Sequence, residues 1–308
     1  MPISNYPNGF ANGVAIRGIP ITVTNPGNVF WVDSGAGSNG NPGTYMLPFS
    51  TIDYAIGRCT ASNGDIIFVK PGHTETVSAA GGIACDVAGV AIVGLGKGSL
   101  RPTITLDTAA TASITVSAAA VTLHNLLIRA NFADITRMIN VTSTGAHLDN
   151  LEFVAVAANM NWVDVIDASS TTDNNADGLT VTGCRAWAVD AASDSFIEIN
   201  ADLDRLWVED CWVVHATANA TAMIECATGK DITNAYVRNC GYQSALTAVD
   251  VLIDNDTSAN SGFVIGCYGS HLDTAAEVLI DADGVGMFGN YGSGVITASG
   301  YLLPAADS

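Results

Sequence analysis

Asp167, Glu198 and Glu225 each sit between two apolar residues, in the triplets Ile166-Asp167-Ala168, Ile197-Glu198-Ile199 and Ile224-Glu225-Cys226. On successive parallel strands these carboxylates would form one outward row, with Asn140 one strand before them. Adjacent rungs of a sheet stand about 4.8 Å apart, near the separation at which retaining glycosidases hold a nucleophile and a general acid. Two carboxyls that close do not ionise independently, and the resulting split in proton affinity suits acid–base work on a glycosidic bond. The competing reading is structural, because a chain with 30 acidic residues brings some into register without any chemistry. The preceding apolar residues Val165, Phe196 and Met223 read as outward neighbours of the row. An apolar stripe beside acids favours an oligomer interface over a sugar cleft, and the structural reading is preferred.

The remaining reactive residues carry less. Cys85, Cys184, Cys211, Cys226, Cys240 and Cys267 fall where equivalent segments have aliphatic residues, so they read as small hydrophobes. Without CxxC or HExxH spacings no metal or cofactor is expected. The odd total of seven cysteines points to reduced thiols. His73, His124, His147, His215 and His271 are scattered and read as exposed polar side chains. Trp162, Trp187, Trp207 and Trp212 could stack on sugar, but Trp207 and Trp212 flank a corner and read instead as contacts to a neighbouring chain.

The elements that must position these residues announce themselves through repetition. An aliphatic residue, any residue, then Gly, Asn or Asp, then Leu or Cys recurs about every 27 residues, as in Leu123-His124-Asn125-Leu126, Leu148-Asp149-Asn150-Leu151 and Val237-Arg238-Asn239-Cys240. Eight copies run from Ile92 to Asn290, and only Met287-Phe288-Gly289-Asn290 breaks the final position. The third residue tolerates positive φ, so the chain can bend there between two short strands. A second column keeps step with the first: Ile83/Cys85, Ile114/Val116, Ile139/Val141, Ile166/Ala168, Ile197/Ile199, Ile224/Cys226, Val251/Ile253 and Val278/Ile280. Two phase-locked columns of alternating residues, joined by a corner, predict an all-β parallel β-helix of eight to ten coils.

Upstream, residues 1–27 read as an extended N-terminal arm whose Phe10, Val14, Ile16, Ile19 and Ile21 have no core of their own and are expected either to dock on a partner or to lie back along the chain's own solenoid. Residues 28–63 read as a strand, a Gly-rich loop and a capping helix from Phe49 to Arg58, with Ser50 as N-cap and Ile52, Ala55 and Ile56 on one face. Residues 64–308 form the solenoid. A net charge of −19 and a pI near 4.2 argue against nucleic-acid and anionic-membrane partners. The N-terminus Met1-Pro2-Ile3-Ser4 lacks the features of a signal peptide, which predicts folding in a cytoplasm.

The order strand, Gly-rich loop, Pro48-Phe49-Ser50-Thr51-Ile52, then Gly64-Asp65-Ile66-Ile67-Phe68-Val69-Lys70-Pro71-Gly72 and coils resembles the start of right-handed parallel β-helix proteins of the pectate-lyase-like and phage tailspike type. The segment Asn8-Gly9-Phe10-Ala11-Asn12-Gly13-Val14-Ala15-Ile16-Arg17-Gly18 is similar to N-termini of tailed-phage virion proteins, some of which are trimeric capsid decoration (cement) proteins. The resemblance implies a right-handed solenoid and a homotrimer on the virion, assembled in the host cytoplasm and binding the major capsid protein or another virion protein. The calcium-site and Arg pattern of pectate lyases and the motifs of polygalacturonases have no counterpart here, so no enzymatic activity is expected. The alternative is a tailspike or tail fibre that binds or hydrolyses host surface polysaccharide through Asp167, Glu198 and Glu225.

Overall fold

The computed structural model describes residues 14–16, 19–21, 27–157, 159–168, 172–188, 193–215, 222–244, 253–254, 260–271 and 284–294. Three parallel sheets run along one axis. Among the described residues, the first holds ten strands, from Val29–Val32 to Val285–Phe288; the second nine, from Thr74–Val77 to Tyr291–Gly294; the third seven, from Ile83–Cys85 to Ile253–Asp254. Each coil visits the three sheets in turn, which makes a parallel β-solenoid with almost no helix, as the repeat predicts. Val29–Val32 already pairs with Ile66–Val69, so the ladder begins ahead of residue 64.

Register stacks like on like. Ile114, Ile139, Ile166, Ile197, Ile224 and Ile253 are successive partners in the third sheet. Those of the column whose burial is described are fully enclosed, each contributing about 2 kcal/mol through apolar burial. The inward cysteines are buried as filling, and all seven are free thiols. Val251, Val278 and Ile280 lie outside the described residues.

The corner pattern has the backbone it requires: Asn125, Asn150, Gly183, Asp210, Asn239, Gly266 and Gly289 all have φ between 51 and 64°. The amides also tie coils together. Asn125 Nδ2 donates to the Gly94 carbonyl (2.6 Å), and Asn150 Nδ2 donates to Asn125 Oδ1 (3.1 Å). Gly94 departs from the pattern. It is absent from the left-handed region, and a Cβ there would lie 2.2 Å from the Asn125 carbonyl oxygen, so close approach of the next coil is what requires glycine. In the last copy, buried Asn290 replaces the inward Leu or Cys and satisfies itself by accepting from the Cys267 amide and donating to the Val264 carbonyl.

A helix from Ile52 to Ile56 covers the first coil, with Ile52, Ala55 and Ile56 buried. It is shorter than expected, and Thr51, not Ser50, is its N-cap, accepting from the Tyr54 amide. Asp53 accepts from the Ala84 amide (3.0 Å), giving a partner to a backbone donor at the open edge of the third sheet.

Two expectations are corrected. The arm is not extended throughout: Val14–Ile16 and Ile19–Ile21 pair antiparallel as a hairpin, while Phe10 lies outside the described residues. Val165, Phe196 and Met223 do not face outward. All three are fully buried: the chain bends at Phe196 and Met223 as it enters its strands, and at the equivalent place on the preceding coil two consecutive residues, Val165 and Ile166, are both in the core. Phe196 packs edge-on against Phe153 (6.2 Å between rings). These residues therefore offer no surface for an oligomer interface.

Candidate active site

The predicted row exists. Asn140, Asp167, Glu198, Glu225 and Asp254 are successive register partners on the third sheet, each one rung from the next. The alternation that buries Ile197 and Ile199 leaves Glu198 between them only partly enclosed.

The environments of the acids differ. Asp167 is 3% exposed; the Arg137 guanidinium, one coil below, forms an ion pair with it, and Asn200 Nδ2 donates to its Oδ1 (3.2 Å). Glu198 has no cation against it among the described residues. Burial, followed by the charges of Glu225, Asp164, Asp194 and Asp167, pushes its carboxyl up to about 9. Asp164, the register partner of Arg137, is pushed up to about 7, first by burial and then by Asp194 and Asp167, against the hydrogen bond it accepts from Ser195 Oγ (3.0 Å).

Sequence reasoning missed Asp164 and Arg137, although a signal was present. Arg137 precedes Asn140 by the same three residues as Asp164 precedes Asp167, so the two had to be neighbours once Asn140 and Asp167 were aligned.

The row continues into a cleft of about 380 Å³ on the same face, over Gly81, Ala84, Thr115, Arg137 and Asn140. The small side chains keep its floor open. Asn140 Oδ1 is buried there with no hydrogen-bond partner among the described residues, an acceptor left for a ligand hydroxyl. A carboxyl that keeps its proton beside an ion-paired carboxylate can deliver a proton to a glycosidic oxygen, and the cleft over Asn140, one rung before Asp167 and two before Glu198, gives a sugar chain room on the same face. Among the described residues, no group of three or more His, Cys, Asp or Glu could hold a metal ion.

The other candidates fall elsewhere. His73 and His215 are buried, not exposed, and His124 Nδ1 pairs with Asp149 (2.6 Å) on the first sheet. Trp162 is a core residue. Trp187 and Trp212 stand exposed on the second sheet, and Trp207, on the first, stacks on Tyr236 (4.2 Å between rings).

No protein-family profile and no curated protein matches this chain. Solved structures do. A rhamnogalacturonan lyase superposes with a TM-score of 0.52 at 14% identity, covering 90% of each chain. The likeness is one of fold. The GH136 lacto-N-biosidase from Eubacterium ramulus aligns with a TM-score of 0.38 at 10% identity, over 87% of this chain and 68% of the other.

The expectation of no enzymatic activity is corrected at this point. It rested on missing sequence motifs, and the structure that shares the fold at a TM-score of 0.52 is that of an enzyme, a rhamnogalacturonan lyase. At 14% identity the loss of one family's motifs says nothing about the chemistry a β-helix carries.

Proposed function

We propose that this protein is a polysaccharide-active β-helix that cleaves glycosidic bonds on the outer face of its third sheet. The observation that carries the reading is the one-rung pairing of Asp167 with Glu198, with Arg137 bound to the former alone. Glu198, which holds its proton at neutral pH, is the general acid. Asp167, ion-paired with Arg137, is its partner one rung away. The rung spacing of about 4.8 Å matches the ~5–5.5 Å of retaining glycosidases and falls short of the ~6.5–9.5 Å that an inverting enzyme needs for its water.

The test is release of reducing ends from pectic polysaccharides, O-antigen chains and bacterial capsular polysaccharides by the purified chain and by Glu198→Gln. Activity on at least one polymer, lowered at least 100-fold in the variant, supports the proposal. Equal activity in parent and variant, or none on any polymer, refutes it.

A second reading concerns where the protein works: a homotrimeric tailspike-type virion protein attached through its N-terminal segment. It draws support from the strands Val14–Ile16 and Ile19–Ile21, which form a two-stranded sheet of their own, separate from the three solenoid sheets. Deleting residues 1–21 should then abolish attachment to particles while leaving the solenoid's circular dichroism intact. A monomer in sedimentation, or unimpaired attachment, would count against it.

A further inference from the structure

The second sheet carries a larger cleft, of about 640 Å³, lined by Glu152, Arg185, Trp187, Asp210, Trp212 and Asn239. Two tryptophans project into solvent there, Trp187 at 58% exposure and Trp212 at 51%. Arg185 and Trp212 are register partners on adjacent coils, and Trp187 lies on the same outer face two residues beyond Arg185.

The position of Trp212 is built into the sequence one coil further on. A Cβ at Gly241 would sit 2.2 Å from Trp212 Cε3 and 2.3 Å from Cζ3, so the six-membered ring rests directly on the Gly241 backbone. Gly241 is not in the left-handed region, so its backbone does not call for glycine. What glycine supplies at this position is room for the ring to lie down against the sheet with its other side in water.

The polar rim is mixed. Arg185 forms no ion pair among the described residues, leaving its donors available. Asn239 offers both a donor and an acceptor, and Asp210 offers acceptors; both are at corners with φ of 53° and 55°, on adjacent coils. The Glu152 carboxylate is taken by Arg101 (2.8 Å). Aromatic faces flanked by alternating donors and acceptors match a sugar ring, which presents C–H bonds on its faces and hydroxyls around its edge. A chain of net charge −19 repels anionic polymers, and one unpaired Arg beside Asp210 does not reverse that. A catalytic carboxylate pair is missing as well: Asp210 follows Gly183 and precedes Asn239 at the corner, and Glu152 is held by Arg101.

We infer that this cleft is a second carbohydrate site, which binds a neutral glycan chain without cleaving it. It lies on a different sheet from the carboxylate row, and it stands whether or not that row is catalytic.

The full chain is run by native affinity electrophoresis through gels containing dextran, galactan, xyloglucan or polygalacturonate. The expected result is retardation by at least one neutral polymer, weakened at least tenfold in Trp187→Ala and Trp212→Ala, largely restored in Trp212→Phe and unchanged in Glu198→Gln. The same polymer should protect the tryptophan fluorescence from acrylamide quenching. Retardation by polygalacturonate alone, retardation that persists in the double Ala variant, or no retardation by any neutral polymer overturns the inference. A fall in sedimentation coefficient in the Trp variants without loss of glycan binding overturns it too, identifying the cleft as a contact between copies. Because Glu198→Gln is predicted to abolish cleavage and spare this binding, failure of one proposal leaves the other readable.

Discussion

Arg137 closes on Asp167 and not on Glu198, although the two acids are register partners one rung apart. The guanidinium reaches the rung above its own and stops there, so one carboxyl of the pair gains a counter-charge while the other gains only burial and like charges. That asymmetry separates an acid from a carboxylate on an otherwise regular ladder.

It fixes the pH dependence of the proposed reaction. Glu198 must be protonated to act, and its carboxyl is held up to about 9, so kcat/KM should fall as pH rises through about 9. The pH–rate profile on whichever polymer is cleaved checks this. Arg137→Met should disturb the same limb, because the freed Asp167 charge adds to the repulsion on Glu198 and raises its proton affinity further. A limb that stays put in Arg137→Met would dissociate the ion pair from the acid.

Stability carries the same signature. Glu198 has a folded value of about 9 against an ordinary 4.5. The folded state therefore binds the extra proton between those limits, and the stability it contributes is complete below about 4.5 and lost as pH rises toward 9. Glu198→Gln cannot ionise. Its melting temperature should match the parent's near pH 4.5 and exceed it by a few degrees at pH 9; a constant offset across that range would mean that burial of the charge is not what the substitution relieves.

The solenoid was legible because its repeat is written twice, once in the corner residues and once in the paired aliphatics, and register then follows from alignment of either column. The row Asp167, Glu198, Glu225 came with it. Val165, Phe196 and Met223 were misread because strict alternation was carried through a bend, where two neighbours face inward together. Asp164 was missed for a related reason: it lies on the far side of that bend, outside the triplet that defined the column. The role of Gly241 could not be read at all, since only the neighbouring coil shows that Trp212 occupies the place of its side chain.

The corners offer a separation of backbone from side chain. Asn150 has φ 51°, donates to Asn125 Oδ1 and accepts from Arg101 Nη2 (2.9 Å). Asn150→Gly keeps the bend and loses the hydrogen bonds, at about 1–2 kcal/mol. Asn150→Ala loses both and adds about 1 kcal/mol of left-handed strain. Denaturant midpoints should rank parent, Gly and Ala in that order, and an Ala variant as stable as the Gly variant would remove the backbone argument.

Buried His215 should weaken the fold as pH falls. It is fully buried, its Nδ1 is 3.1 Å from the Tyr242 hydroxyl, and its Nε2 has no partner among the described residues. Burial alone holds its proton affinity down to about 3 against an ordinary 6.5. Above about 6.5 the ring is neutral in both folded and unfolded chains and pH has no leverage. Below it the unfolded chain takes up a proton that the folded one refuses, and stability falls by as much as about 1.4 kcal/mol per pH unit until pH 3 is approached. The trend is opposite in sign to that of Glu198, so the two can be told apart in one titration. His215→Phe keeps the ring volume and removes the titration, at the cost of a partner for the Tyr242 hydroxyl. It should be less stable than the parent at pH 7.5, and the gap should narrow steadily on acidification. A gap that stays constant from pH 7.5 to pH 4 would show that another group governs acid unfolding.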